Sequence, residues 1–249
     1  MQVFSLTNQG MERPRNEDSC FAETGEDSAL LVVADGMGGH QAGNVASAMA
    51  VDAARDFWHK LNEDSSLSDE QVRRALKKLI LDANQAIITE AVKNSSKRGM
   101  GTTLTAGLLR GSSLIIAHVG DSRAYRIHND DIELLTRDHS LLEELLEKGQ
   151  INPEEAKNHP QRHILTRAVG IDSHLEVDLY EKEVEPGSVL LFCTDGLTNQ
   201  VDDGEIKDTC LEQKDPQKVA ETLIDLANER GGHDNITVVI ATGIGGQHD

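Results

Sequence analysis

Residues 30–43 read Leu30-Leu31-Val32-Val33-Ala34-Asp35-Gly36-Met37-Gly38-Gly39-His40-Gln41-Ala42-Gly43. The apolar first half has the length of a buried strand, a carboxylate ends it, glycines follow, and an amphipathic helix begins beyond them. An acid closing a buried strand is costly to ionise unless positive charge meets it. The glycines allow positive φ and a close approach of backbone to a bound group. A strand–turn–helix corner with a solvated Asp is one reading. A phosphate-cradling loop is another, and it fails on its residues: Gly38 and Gly43 have P-loop spacing, but Asn44 stands where the lysine belongs, and Gln41 replaces the third glycine of a dinucleotide fingerprint. What survives is a metal ligand, which needs partners elsewhere in the chain.

The 249 residues contain no Ser/Gly tract, proline run, low-complexity block or repeat, so one domain, 1–249, is expected. Lys and Arg number 24 against 43 Asp and Glu, for a formal charge of −19. That balance argues against nucleic acid or an anionic membrane as partner, since both are held by basic patches. No apolar run approaches membrane-span length, and Met1-Gln2-Val3-Phe4 does not open a signal peptide. Cys20, Cys193 and Cys210 have no metal spacing and leave one odd thiol, which suits a reduced, cytoplasmic setting.

Around the opening stretch, Val3–Thr7, Ser19–Ala22 and Ala29–Ala34 read as strands. Ala42, Val45, Ala46, Met49, Ala53, Phe57 and Leu61 give one helix an apolar face. Val72, Leu76, Leu79, Ile80, Ala83 and Ile87 mark a second, from about Asp69 to Val92, with Ser68 as N-cap. Two helices without a strand between them argue against a regular βαβ fold. Thr102–Leu109, Ser113–Val119, Arg123–His128 and Ile132–Leu135 follow as strands joined by turns short enough to make neighbours antiparallel. A polar insert from Asp138 reads as a surface flap, with one brief helix at Leu141, Leu142, Leu145 and Leu146 and another starting at Pro153-Glu154-Glu155. Leu175–Tyr180, Val189–Cys193 and Asn235–Thr242 are the last strands, and Val219, Leu223, Leu226 and Ala227 mark the last helix. Runs of antiparallel strands with paired helices predict an α+β fold of two stacked sheets with helices outside.

Asp35 is one of several acids at junctions of apolar runs and turns: Glu17-Asp18, Asp121, Asp195 and Asp234 share that placement. One such Asp is ordinary turn chemistry. If all converge, their repulsion forces protonation unless divalent cations intervene. Oxygen donors without Cys or clustered His select Mg²⁺ or Mn²⁺ over Zn²⁺. Two such ions a few ångströms apart serve in-line displacement at phosphorus. A phosphate dianion also wants a guanidinium, and Arg13 and Arg15 lie just before Glu17-Asp18.

Arg13-x-x-Asn16-Glu17-Asp18, Ala34-Asp35-Gly36-Met37-Gly38-Gly39-His40, Gly101-Thr102-Thr103, Gly120-Asp121-Ser122-Arg123, Thr194-Asp195-Gly196-Leu197 and Asp234-Asn235-Ile236-Thr237 occur in that order over nearly the whole chain. The set resembles the metal-dependent protein phosphatases, or type 2C Ser/Thr phosphatases, and most of all their compact bacterial members. The resemblance implies a four-layer α-β-β-α sandwich, two antiparallel sheets flanked by helix pairs, with a binuclear metal cleft at one edge. It implies Mn²⁺ or Mg²⁺ as cofactor and hydrolysis of phosphoserine and phosphothreonine in proteins by a metal-activated water. Carried over, Asp35 bridges both ions, Gly36 offers its carbonyl to one, and Asp195 and Asp234 ligate the other. Glu17 and Asp18 act near the metals, partly through water, and Asp121 with Asp195 holds a third, looser ion. Arg13, five residues before Asp18, holds the substrate phosphate. The insert from Asp138 to about Leu165 corresponds to the family's flap, which His159 and His163 flank. His40 stands where a general acid would sit, although Met37-Gly38-Gly39 intervenes where animal relatives place a His directly after Asp-Gly. Thr102 and Thr103 are expected to pack below the site. Analogy with bacterial relatives implies a partner Ser/Thr kinase, and the chain is expected to be a monomer.

Two other functions compete. A metal-holding adaptor would recognise phosphoproteins without turnover, but the ligand positions are all filled. A cysteine-nucleophile phosphatase needs an Arg six residues after its Cys, and those positions here are Glu26, Asn199 and Pro216.

Overall fold

The computed structural model describes residues 1–38, 42–63, 67–152, 155–156, 159–161 and 164–245. The opening stretch is the key to its layers. Strand β3 (Ser28–Met37) sends Leu30 and Val32 to one side and Leu31 and Val33 to the other. Side chains alternate with period two, so an unbroken apolar run is a strand buried on both faces. One face packs with Trp58 of α1 (Gly43–Glu63) and with Leu76 and Ile80 of α2 (Asp69–Lys93). The other meets Phe192 and Val239 across the middle of the molecule.

The sheet containing β3 runs β2 (Asp18–Thr24), β3, β5 (Leu104–Arg110), β6 (Ser113–Val119), β9 (Asp178–Glu183), with the two-residue β4 (Gly101–Thr102) on the end of β3. The facing sheet runs β1 (Gln2–Asn8), β11 (Ile236–Thr242), β10 (Val189–Cys193), β7 (Arg123–His128), β8 (Asp131–Leu134). Every pairing of neighbouring strands is antiparallel. A short α3 (Leu141–Glu147) lies in the insert, and one turn of helix, α4 (Asp195–Thr198), follows β10. Helices α5 (Asp203–Glu212) and α6 (Pro216–Glu229) cover the second sheet through Ile206 and Leu223 against Leu191, Val238 and Ile240. The layers are therefore α-β-β-α, as expected.

The elements also differ from expectation in informative ways. β3 does not stop at Asp35. It continues through Gly36 and Met37, because these pair with Thr102 and Gly101 of β4. β9 begins at Asp178, three residues later than the apolar residues suggest, because it is an edge strand registered on β6, from His118↔Asp178 to Ser113↔Glu183. Helix α5 was not expected, although Asp202 and Glu205 form a capping box at its start. The Ser68 cap of α2 is present, with Gln71 closing the box. The insert is anchored at both ends: Ser140 bridges Leu165, and the Leu141 N–H donates to the Ile164 carbonyl at 2.8 Å. The second insert helix expected at Pro153-Glu154-Glu155 begins outside the described residues.

Candidate metal centre

Five chain segments bring acids to one edge of the sandwich. Asp18 opens β2 and lies opposite Asp35 in the β2–β3 register. Asp121 sits in the β6–β7 turn, Asp195 follows β10, and Asp234 precedes β11. A cleft of about 380 Å³ is walled by Arg13, Asp35, Asp121, Asp195 and Asp234, with Thr103 and the segment around Arg167 on its other side. Asp18 lies beneath it and is buried.

Asp18 carries the most specific geometry. Its Oδ2 accepts from the Thr237 hydroxyl at 2.6 Å and from the Thr194 hydroxyl at 2.9 Å. Thr194 is committed to that role, because its own oxygen accepts the Thr237 N–H at 3.0 Å. Behind Thr237, Asn16 donates to Thr7 at 2.8 Å and the Thr7 and Thr237 hydroxyls meet at 2.7 Å, so the chain of donors runs toward the carboxylate. The other oxygen, Oδ1, is buried with no hydrogen-bond partner among the described residues. Burial raises the Asp18 carboxyl to about 7 against the pull of the two hydroxyls, with Asp195 and Asp234 adding to the rise. A buried carboxylate with one satisfied and one orphaned oxygen suits a cation at the second.

Asp35 is raised well above the usual carboxylate range, first by burial and then by Asp18, Asp195, Asp121 and Asp234. Burial and then Asp195 raise Asp121 as well. The Asp35 main chain is fixed from below. Its N–H donates to Thr103 Oγ1 at 2.8 Å, and its carbonyl accepts from Thr102 Oγ1 and from the Thr103 N–H, both at 2.9 Å. Thr103 Oγ1 also meets Ser122 Oγ at 2.8 Å, which ties the turn holding Asp121 to the strand holding Asp35. Thr102 stays outside the cleft lining, while Thr103, expected below the site, also reaches the cleft wall; both hold the Asp35 main chain. Gly36 is required on steric grounds, since a Cβ there would collide with the Glu17 and Gly43 carbonyl oxygens.

Arg13 donates to Asp234 Oδ2 at 2.7 Å and remains 51% exposed, so the guanidinium reaches the cleft without being locked in it. Arg15 does not line the cleft, and its carbonyl accepts from Asn235 Nδ2 at 2.8 Å. The same amide donates to the Gln9 carbonyl, and Asn235 Oδ1 accepts the Glu17 N–H at 2.8 Å. Asn235 therefore staples the arginine loop to β11. Glu17 acts here through its main chain; its carbonyl accepts from Gly36 and from the Ser47 hydroxyl, and its side chain does not line the cleft. His159 stands outside the cleft lining, while His40 and His163 lie outside the described residues.

Thr194, Thr237, Asn235 and Arg167 were not singled out from the sequence. The first three stand inside quoted motifs, where a hydroxyl or amide beside a candidate ligand was the available signal. Arg167 lines the cleft and is held by Asp178, its Nη1 donating to Oδ1 at 2.7 Å. No three His, Cys, Asp or Glu side chains among the described residues are drawn into a ready-made cage. Separate partners hold the carboxylates apart: Asp18 has its hydroxyls, Asp234 has Arg13, and Asp195 Oδ2 accepts from Asn199 at 3.0 Å. The donor set, all oxygen and strongly acidic, fits hard divalent cations.

The comparisons with known proteins agree with this geometry. A family profile described as protein phosphatase 2C matches residues 12–231. The serine/threonine phosphatase stp of Listeria welshimeri serovar 6b is 41% identical over 241 residues, covering 96% of this chain and 95% of that protein. A crystal structure of a bacterial serine phosphatase superposes with a TM-score of 0.90 at 36% identity, covering 100% of both chains. The catalytic domain of the serine threonine protein phosphatase PstP, solved in complex with 2 manganese ions, superposes with a TM-score of 0.84 at 34% identity over 97% of each chain. With that profile over most of its length and such a relative over nearly all of it, this chain belongs to the protein phosphatase 2C family.

Proposed function

We propose that the cleft removes phosphate from phosphoserine and phosphothreonine in proteins, with Mn²⁺ or Mg²⁺ as cofactor. In this reading Asp35 would be the ligand common to two ions, the Gly36 carbonyl would serve one, and Asp195 and Asp234 would hold the other. Glu17 and Asp18 act beside them, partly through water, and Asp121 with Asp195 holds a third. The observation that carries the reading is the orphaned, buried Asp18 Oδ1 beneath a cleft walled by four more carboxylates and two arginines, Arg13 and Arg167. Bound ions supply charge compensation and a hydroxide nucleophile near neutral pH. The chain's own residues do the rest. The threonine relay holds Asp18 Oδ2 as an acceptor, Thr102 and Thr103 fix Asp35, and Arg13 leaves Asp234 to bind the phosphoryl oxygens in two parallel hydrogen bonds. His40 is the proposed proton donor to the departing Ser or Thr oxygen.

The rest of the reading is of the same kind. One catalytic domain spans 1–249, and the insert of about 138–165 forms the flap beside the cleft. The chain works as a cytoplasmic monomer in bacterial signalling, opposite a cognate Ser/Thr kinase, without nucleic acid or membrane as partner. No helix among the described residues is long and apolar enough to cross a membrane. The test is hydrolysis of phosphoserine and phosphothreonine peptides by purified protein, with and without EDTA. Turnover that disappears with chelator and returns with Mn²⁺ supports the proposal. Binding of phosphopeptides without release of phosphate would favour the adaptor instead.

A further inference from the structure

The fully buried stripe of α2 ends at Ile87, but Ile88, half-buried Ala91 at the core's edge and exposed Val92 continue apolar at three- and four-residue spacing. With Arg98, Gly170 and Ile171 they line a groove of about 490 Å³. Its apolar walls are open to solvent: Val92 is 81% exposed and Ile171 52%. Gly170 lets the chain at the groove edge pack directly against the core. It holds φ +91°, and a side chain there would run into Ile87 and the Met100 carbonyl. Arg98 is exposed at the rim and makes no ion pair with any described residue.

The groove adjoins the catalytic cleft. Ile171 walls both, and its side chain lies over Gly101 beside Met37, which also lines the cleft. A phosphorylated protein segment seated in the cleft must leave it along the surface, and this groove is an apolar exit from it. We propose that the groove is a substrate-specificity site. It takes an apolar side chain of the substrate polypeptide a short extended distance from the phosphorylated residue, and Arg98 meets an acidic neighbour of that side chain. The inference rests on the phosphatase reading above and adds a sequence preference to it. The occupant is the substrate chain itself, because the groove shares the Ile171 wall with the cleft that seats the phosphorylated residue, and the exposed Arg98 suits an acidic neighbour.

The test is a set of phosphothreonine peptides, otherwise built of Gly, Ser and Ala, with a single Leu moved through the positions on each side. p-Nitrophenyl phosphate, which has no peptide to place in the groove, serves as the reference substrate. The wild-type protein should prefer Leu at one position by about tenfold in kcat/KM, the scale of one apolar side chain in a pocket. A Glu beside that Leu should raise turnover further. Val92→Asp should abolish the Leu preference, Val92→Ala should reduce it, and Arg98→Glu should reverse the effect of the added Glu. All three should leave p-nitrophenyl phosphate turnover unchanged. A flat Leu scan in the wild-type protein, or a preference that survives Val92→Asp, would overturn the proposal. Turnover of p-nitrophenyl phosphate without turnover of any phosphopeptide would contradict the protein-phosphatase reading, and the groove with it.

Discussion

Replacing Thr237 by Val keeps the shape of a fully buried side chain and removes one of the two hydroxyl donors to Asp18 Oδ2, the one at 2.6 Å. A hydrogen bond to a charged group contributes roughly 1.5–3 kcal/mol. The same energy expressed as proton affinity is about one to two pH units. Asp18 already titrates at about 7, because burial opposes its charge. In Thr237→Val it therefore holds its proton to still higher pH. At pH 6 any cation that uses this carboxylate must displace that proton in either protein, so the lost donor appears as Mn²⁺ affinity weakened roughly 10- to 100-fold. At pH 9 proton competition fades and the gap should narrow. Calorimetric Mn²⁺ titration of chelator-stripped protein at both pH values reads the effect. Equal affinities at pH 6, or a gap that does not change with pH, would refute the argument that the threonine relay acts by holding Asp18 ionised.

Arg13→Ala removes a bidentate contact to phosphate and should lower kcat/KM about ten- to a hundredfold, against a much smaller loss for Arg15→Ala; phosphopeptide kinetics on the two variants compare them directly. Asp121→Asn keeps the turn but removes the charge, so it should lose one weakly held Mn²⁺ and at least about tenfold in phosphopeptide turnover, while the central pair remains; metal stoichiometry and kinetics test both halves. His118 is buried between the Thr105 hydroxyl and the Arg137 carbonyl, and burial first, then His139, depress it to about 3. The unfolded chain takes up this proton near pH 6.5 and the folded chain does not, so between those values stability falls as pH falls, by up to about 1.4 kcal/mol per pH unit. His118→Gln should remove that part of the slope in urea unfolding at pH 6 and pH 4.5.

The layer order was legible in the sequence because β3 and β11 are apolar on both faces, and a strand of that kind must lie between two covering layers. Asp35, Asp121, Asp195 and Asp234 were legible because each adjoins or ends a buried apolar strand, while Asp18 opens the half-buried edge strand β2. Helix α5 was missed because its signal, the Asp202–Glu205 box, precedes a mostly polar run with few apolar positions. β9 was misplaced because an edge strand is limited by its one partner, and its Glu181-Lys182-Glu183 end can face water. The service of Thr194 and Thr237 to Asp18 was not legible. It depends on β11 and the residue just after β10 reaching a residue of the other sheet, a relation without a local pattern. The same holds for Asn235, whose side chain joins Gln9, Arg15 and Glu17 across the length of the chain.

The central claim is that Asp35 joins two divalent cations on which hydrolysis depends. Its most direct test is Mn²⁺ titration of chelator-stripped wild type and Asp35→Asn, with phosphopeptide turnover measured at each addition. The account predicts that wild type gains activity as two ions bind, and that Asp35→Asn loses most of both the paired binding and the activity. An Asp35→Asn protein that binds two ions with wild-type affinity and turns over phosphopeptides at the wild-type rate would contradict it.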